Sequence, residues 1–407
     1  MIFKILFTSY QAIVMRLAID LNLFDVVLQR TDADATNATD RVTVNQVACD
    51  TKAENAFVAR IMRFLSSMGM LKQLSRDTFT RTSLTESFCS NTFLSQAIIH
   101  YTHLQTFITA LPEYFKATDY KNPSYESSAP FQFVLNPTFS HYSLYLANNP
   151  YYQNATSTAL TPFWSLFNTP WFEIYPIDRI RNSPPSPFNR TLWPALISHP
   201  SKKPMPPPLP RSKILLVDIG GDGQTLQALH ARYPHLPGPL VLQHPPNTLV
   251  PSLQGIRTYT YNYFAPQPIK GARVYVLNNI LHEWADDRIF GILEQVKNAM
   301  RNESVLLVVE KVIPDKDVGL MDLVQDWSEM VCYARRERTE GEFREILRRV
   351  GFRVGVAWKG DAGVDARLGI STGMRMMVLE AKLAGAGKFR WELDSVAFVG
   401  DLIYSIP

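Results

Sequence analysis

Lys213-Ile214-Leu215-Leu216-Val217-Asp218-Ile219-Gly220-Gly221-Asp222-Gly223 is the stretch that decides the fold. Its apolar run is continuous rather than alternating, as in a strand buried on both faces of a parallel sheet. An acidic residue and a glycine-rich turn close the run, and Thr225 to Tyr233 suits a following helix. In open α/β sheets that junction receives a nucleotide-like cofactor, because glycines let the backbone approach a ligand and the helix N-terminus offers free N–H groups. Asp218 is positioned to accept a hydrogen bond from an amino-acid ammonium group.

Downstream, Leu240 to Gln243, Val274 to Leu277 and Val305 to Val309 read as further strands, and Asp286 to Met300 as a helix. Alternating strand and helix implies an α/β, Rossmann-like doubly wound domain over residues 211–407. Upstream, residues 183–210 are dense in proline, ending in Lys203-Pro204-Met205-Pro206-Pro207-Pro208, which fits neither a helix interior nor a central strand. They read as a linker. Residues 101–182 read as a helical connecting or substrate region, rich in aromatics such as Phe107, Phe115, Phe131, Phe133, Tyr142, Tyr145, Phe163 and Trp164. Such residues serve equally as core or as walls for a planar ligand.

Residues 1–100 read as a winged helix. Tyr10 to Leu28 has helical periodicity, with Ile13, Leu17, Leu21 and Phe24 on one side. Val44, Val47 and Ala48 open a short helix. Ala56 to Met68 supplies a second, with Phe57, Ile61 and Leu65 in phase and Gly69 stopping it. Met70–Leu74 and Thr78–Thr82 form a wing across Arg76-Asp77. A DNA-binding role does not follow, since Asp50, Glu54 and Asp77 offset Arg60, Arg63 and Lys72. Packing against a partner subunit fits better.

Among 407 residues, 46% are hydrophobic and 19% charged, with a formal net charge of +4, the profile of an ordinary globular chain. That charge is too small to argue for nucleic acid or an anionic membrane. Cys49, Cys89 and Cys332 are too scattered for a zinc site or disulfide framework, so a reducing, cytoplasmic setting is expected. The uncharged stretch near Met1 to Met15 reads as a buried helix, diluted by Thr8, Ser9 and Gln11 and lacking a cleavage site for a secretory signal.

The chemistry centres on Leu281-His282-Glu283-Trp284, just past the Val274–Leu277 strand and thus at the carboxyl edge of the sheet. A histidine there can take a proton from a phenol or enol hydroxyl while a carboxylate fixes its tautomer. Glu310 and Glu337 have bland readings too, as ion pairs with Lys311 and with a neighbouring arginine.

Four motifs, in order, resemble the caffeic-acid-type plant and fungal O-methyltransferases. They are Val217 to Gly221, Leu281-His282-Glu283-Trp284 with Asp286, Val308-Val309-Glu310-Lys311-Val312-Ile313-Pro314, and Glu337-Arg338-Thr339 with Glu342-Phe343. The resemblance implies a winged-helix dimerisation domain, a homodimer, S-adenosylmethionine (SAM) as cofactor, no metal, and no nucleic-acid or membrane partner. It implies methyl transfer to a hydroxyl of an aromatic or polyketide-like secondary metabolite. His282 is then the general base, flanked by Glu310 and Glu337. Asp218, Gly220, Gly221, Gly223, His244, Asn262, Tyr263 and Asn278 are then the cofactor positions.

The cofactor positions depart from the family pattern. His244 replaces a ribose-binding aspartate, and an imidazole does not accept two hydroxyl hydrogen bonds as a carboxylate does. Asn262 replaces another aspartate and Asn278 a basic residue. The turn reads Gly-Gly-Asp-Gly, in a segment one residue shorter than usual, and the chain starts without the leading helix usual in the family. At roughly 1 to 2 kcal/mol each, or less where the group stays partly solvated, these four changes weaken SAM binding by about two to four powers of ten if they add. The alternative is therefore an O-methyltransferase-like pericyclase or cyclase that transfers no methyl group.

Overall fold

The computed structural model describes residues 2–31, 40–135, 141–181, 214–246, 248, 250, 253–365 and 370–385. The proline-dense segment 183–210 lies outside them. The chain divides into two compact units, Met1–Leu166 with Trp327–Ala334, and Phe167–Asp326 with Arg335–Pro407.

In the first unit, α1 (Ile2–Asp20) and α2 (Leu23–Thr31) replace the single helix expected over Tyr10–Leu28. The break falls at Asn22, whose φ of 51° leaves the helical region, a conformation asparagine tolerates better than most residues. Nor is the start buried as expected, since Phe7, Tyr10 and Ile13 are exposed. Strand β1 (Val42–Thr43) leads into α3 (Val44–Thr51), whose N-terminus Thr43 and Gln46 close with a reciprocal capping box. Helix α4 (Asn55–Ser67) buries Val58, Ile61, Met62 and Leu65. Phe57, expected in phase with them, is 39% exposed because the buried stripe is centred one residue later.

The wing is β2 (Leu71–Ser75) against β3 (Thr78–Arg81), with β1 pairing the far side of β3. Then come α5 (Phe93–Ile108), α6 (Leu111–Ala117), α7 (Pro130–Leu135), α8 (Tyr142–Ala147) and α9 (Pro150–Ser165), with α5 and α9 packed together. Phe107, Phe131 and Tyr142 form a buried edge-to-face cluster with centroids 5.1–6.2 Å apart, so these aromatics are core. Phe163 is buried too, whereas Phe133 is half exposed.

The second unit opens with two short helices, α10 (Trp171–Ile174) and α11 (Asp178–Arg181). Strand β4 (Leu216–Ile219) is wholly buried and runs through the glycine turn into α12 (Gln224–Arg232), whose first N–H donates to Asp222. Strands β5 (Leu240–His244), β6 (Ile256–Thr260), β7 (Val274–Asn278) and β8 (Val305–Ile313) complete a parallel set in the order β6-β5-β4-β7-β8. Helix α13 (Asp286–Lys297) joins β7 to β8 and buries Ile289, Ile292, Leu293 and Val296.

After α14 (Leu320–Tyr333), the two-residue strand β9 (Arg338–Thr339) pairs parallel with Val312 and Ile313. Helix α15 (Glu340–Val350) begins on a capping box of Thr339 and Glu342 and ends at Gly351. Strand β10 (Phe352–Lys359), the small hairpin β11 (Val364–Asp365) and β12 (Ile370–Ser371), and β13 (Arg375–Leu383) follow. Strand β13 lies antiparallel to β8, and β10 antiparallel to β13, so the doubly wound sheet has an antiparallel edge. The chain winds one way through β4, β5 and β6 and then crosses to β7 on the other side of β4. Ligands bind beyond the carboxyl ends of strands at such a reversal.

Candidate active site

His282 lies in a short 3-10 turn, Leu281–Glu283, directly after β7. Its Nδ1 is 2.8 Å from Glu310 Oε2, and the side chains of both are buried. The other Glu310 oxygen accepts the N–H groups of Ile280 at 2.9 Å and Leu281 at 2.6 Å. One carboxylate thus fixes both the imidazole and the backbone that carries it. With Glu310 ionised, Nδ1 bears the proton and Nε2 is left as the basic nitrogen. Burial disfavours the charged ring, but attraction and hydrogen bonding from Glu310 outweigh it and raise the His282 pKa above its ordinary value.

Sequence reasoning ended the last parallel strand at Val309. Pairing of Met377, Met376 and Arg375 with Glu310, Lys311 and Val312 extends it to Ile313, so Glu310 and Lys311 are buried strand residues. Glu337 precedes the strand that pairs with the end of β8, which brings its Oε1 within 3.5 Å of Lys311 Nζ. Glu310 pairs with His282, and Glu337 pairs with Lys311.

Arg338, 1% exposed, ties down the same loop: it donates to Leu281 O at 3.3 Å, Trp284 O at 2.8 Å and Asp286 Oδ1 at 2.8 and 3.1 Å. The sequence places this arginine within a motif but assigns it no task. Its signal was an arginine beside the flanking glutamate, followed by a capping threonine.

At the neighbouring strand end, Asp218 is buried with its Oδ1 unpartnered among the described residues. Burial first, and Asp222 second, push its carboxyl up to about 7. Asn279, in the left-handed region at φ 54° just past β7, also has a buried Oδ1 without a donor among the described residues. Two unsatisfied acceptors at one sheet edge suit a ligand bearing N–H or O–H donors. Gly220, with φ +92°, holds the turn, and a Cβ there would meet the Tyr263 hydroxyl at 2.5 Å and the Ile280 δ-methyl at 2.6 Å. A Cβ on Gly221 would lie 2.8 Å from Asp218 Oδ2.

The remaining cofactor positions are less directly placed. Gly223 faces Leu253 and Leu242, a packing contact. His244 Nδ1–H donates to its neighbour Pro245 O at 3.1 Å. Asn262 accepts the Phe264 N–H in a local turn. Asn278 accepts weakly from Asn279 at 3.5 Å.

Comparison with known proteins shows the family. An O-methyltransferase dimerisation domain model matches residues 3–99, and an O-methyltransferase domain model matches residues 212–353. The demethylsterigmatocystin 6-O-methyltransferase stcP of Emericella nidulans is 38% identical over 151 residues, 36% of this chain and 74% of that protein. The chain belongs to the O-methyltransferase family. The methyltransferase cfoC of Aspergillus candidus is 27% identical over 378 residues, covering 90% of this chain and 84% of its own. In fold, this family member resembles the structure of LepI in complex with SAM, with TM-score 0.58 and 22% identity over 94% of this chain and 88% of LepI. Residues 3–99 are accordingly the family's dimerisation domain, and among the described residues no helix is long and apolar enough to cross a membrane.

Proposed function

We propose that this O-methyltransferase-family enzyme binds SAM at the β4 turn and methylates a hydroxyl of an aromatic or polyketide-like secondary metabolite, with His282 as general base. One observation carries the reading: a buried, oriented His282–Glu310 pair lies one strand away from a buried carboxylate with one oxygen, Asp218 Oδ1, that has no hydrogen-bond partner among the described residues. Asp218 and Asn279 suit the donor-rich amino-acid end of the cofactor. His244 and Asn262 would meet its nucleoside end, the former with one acceptor where a carboxylate would offer several.

Bound SAM supplies an electrophilic methyl group on a sulfonium. The protein supplies orientation and a proton acceptor. His282 Nε2 takes the proton of the substrate hydroxyl as it becomes a nucleophile, and the imidazolium that forms is stabilised by Glu310 across the 2.8 Å contact. Arg338 keeps the loop from moving as that charge appears, and Lys311 neutralises Glu337 beside it. We further propose that the enzyme works as a homodimer through residues 3–99, with no metal and no nucleic-acid or membrane partner.

A second reading, a cofactor-free cyclisation on the same scaffold, is favoured by a different observation: the Tyr263 hydroxyl and Ile280 occupy the open side of Gly220. Calorimetric titration with SAM and with S-adenosylhomocysteine (SAH) separates the two. Micromolar binding of both, with SAH released in the presence of a phenolic acceptor, is expected. A folded, ligand-free protein that binds neither at millimolar concentration would overturn methyl transfer and leave the cofactor-free reading.

A further inference from the structure

An amide side chain taken out of water needs partners for its donors and its acceptor, and one left unbonded costs more than an apolar side chain of the same shape. The penultimate residue of β5 is nonetheless Gln243, and the loop before β7 carries Gln267, both fully buried. Each side chain donates to the other, Gln243 Nε2 to Gln267 Oε1 at 2.8 Å and Gln267 Nε2 to Gln243 Oε1 at 2.8 Å. Gln267 Oε1 also accepts the Ile269 N–H at 3.1 Å. Pro266 and Pro268 flank Gln267 and have no N–H to give, so the side chain takes over an anchoring task that backbone donors would otherwise share.

The pair stands where three segments meet. Gln243 lies beside Ile219 in the parallel ladder, and its backbone carbonyl accepts the Gly220 N–H at 2.6 Å, which joins it to the glycine turn. The next residue is His244, whose carbonyl accepts the Tyr261 N–H at 2.8 Å. The loop that carries Asn262 and Tyr263 is thus tied to β5 at both ends, at Tyr261 through backbone and at Gln267 through the amide pair. Between those ties its bonds are local: Tyr261 Oη donates to Ala265 O at 2.8 Å, and Ala265 N–H to Asn262 O at 3.0 Å. Tyr263 and Phe264 pack edge-on against Trp284. Ring contacts of that kind tolerate small slides, whereas paired hydrogen bonds weaken steeply when they are displaced.

Resting on the reading that SAM binds at the β4 turn, we infer that the Gln243–Gln267 amide pair is a positioning device for the cofactor's nucleoside end: it holds the Asn262–Tyr263 loop in register with Gly220 and His244. Neither glutamine need touch the cofactor. Two apolar side chains would fill the same space at less cost, but they would not select one register, as a fully bonded buried polar pair does. A site with an imidazole and an amide where the family pattern has carboxylates gains less from charge, so the preorganisation of its walls counts for more.

The test replaces one or both amides by methionine, flexible enough to fill the vacated space, and compares stability in denaturant with SAH affinity by calorimetry. Gln243→Met and Gln267→Met each strand a buried amide, and each should lose stability together with about tenfold in SAH affinity. The double variant leaves no buried amide side chain unpaired, only the part-buried Ile269 N–H without its acceptor. It should therefore recover most of the lost stability while SAH binding stays about tenfold weak. A role in packing alone would restore both together. Parent-like affinity in the double variant, or in a folded single variant, overturns the inference. Should the single variants not fold, the double variant decides alone. A parent protein that binds no SAH overturns the cofactor reading itself, and the positioning role with it.

Discussion

The carboxyl edge of the sheet holds two buried carboxylates at the ends of nearby strands, and they live under opposite conditions. Glu310 accepts three hydrogen bonds, from His282, Ile280 and Leu281. Asp218 has an oxygen with none, and its pKa climbs to about 7. One corner is complete without any ligand, and the other is complete only when something donates to it. A buried charge that is paired and hydrogen-bonded offsets its desolvation cost, whereas one left unpaired does not. The difference separates the residues that hold His282, the proposed base, from those proposed to receive the cofactor.

The largest effect should come from the completed corner. His282→Gln is expected to lower turnover by roughly 10²- to 10⁴-fold, the usual worth of a positioned general base, while SAH affinity measured by calorimetry stays within a few-fold of the parent, about 1 kcal/mol or less. An active variant would remove His282 from the chemistry. In the parent protein, the base must be neutral to work. With its pKa raised above the ordinary value of about 6.5, kcat should rise with pH along a limb lying above that value. The same raised pKa means that the pair's contribution to stability is present below about pH 6.5 and is lost as pH climbs through the folded value.

Glu310→Gln should follow in size. It removes the attraction that holds the imidazolium, so the kcat limb should move towards lower pH while the maximal rate falls. The buried hydrogen bonds it disturbs should lower stability by about 1 to 3 kcal/mol in denaturant melts. A variant with unchanged stability and an unmoved limb would mean that the Glu310 contact to His282 does not operate in solution.

Asp218→Asn should behave in the opposite sense. Losing a charge-assisted contact should weaken SAH binding by about 10- to 100-fold, on the order of 1.5 to 3 kcal/mol. The ligand-free fold should nonetheless become more stable at pH 8. The sign follows from linkage: a carboxyl whose folded pKa lies above its unfolded value of about 3.9 makes the fold progressively less stable as pH rises from 4 towards 7. The asparagine escapes that penalty, so the two melting curves should converge near pH 4. In the parent protein SAH affinity should rise as pH passes about 7. If Asp218→Asn destabilises the ligand-free protein at pH 8, the contrast with Glu310 fails.

How far the sequence revealed these two corners depends on which forces leave a local pattern. The buried run of β4 and its glycine turn were legible because double-faced burial and a tight turn both restrict residue type over a few consecutive positions. The ring of His282 was legible as a residue at a strand end. The hold on it was only half legible. Glu310 and Lys311 looked like the polar residues that end a strand, and only β13, more than sixty residues away, shows that the strand continues through them. Strand β13 itself, Arg375–Leu383, reads Met-Met-Val-Leu-Glu-Ala-Lys, a composition that favours helix until tertiary context overrides it. Strand β6 carries Arg257, Thr258 and Thr260 on a mostly solvated edge and presents no apolar run. Arg338 escaped because its partners include backbone carbonyls, which have no sequence signature.

Tyr263 decides how open the unfinished corner is, and the smallest of these effects is expected there. Its ring packs edge-on against Trp284 with centroids 6.3 Å apart, so the loop before β7 and the histidine turn fix its direction. Its hydroxyl makes no hydrogen bond among the described residues, and burial, with Glu283 and Asp218 nearby, pushes its pKa up, so it stays a neutral donor. That hydroxyl lies where a Cβ on Gly220 would sit, at the turn proposed to receive the cofactor. Tyr263→Phe keeps the ring and removes only the oxygen. SAH binding should tighten by about threefold, ~0.6 kcal/mol, with kcat nearly unchanged. Weaker binding would instead make the hydroxyl a donor to the ligand, turning an obstruction into part of the cradle that Asp218 begins.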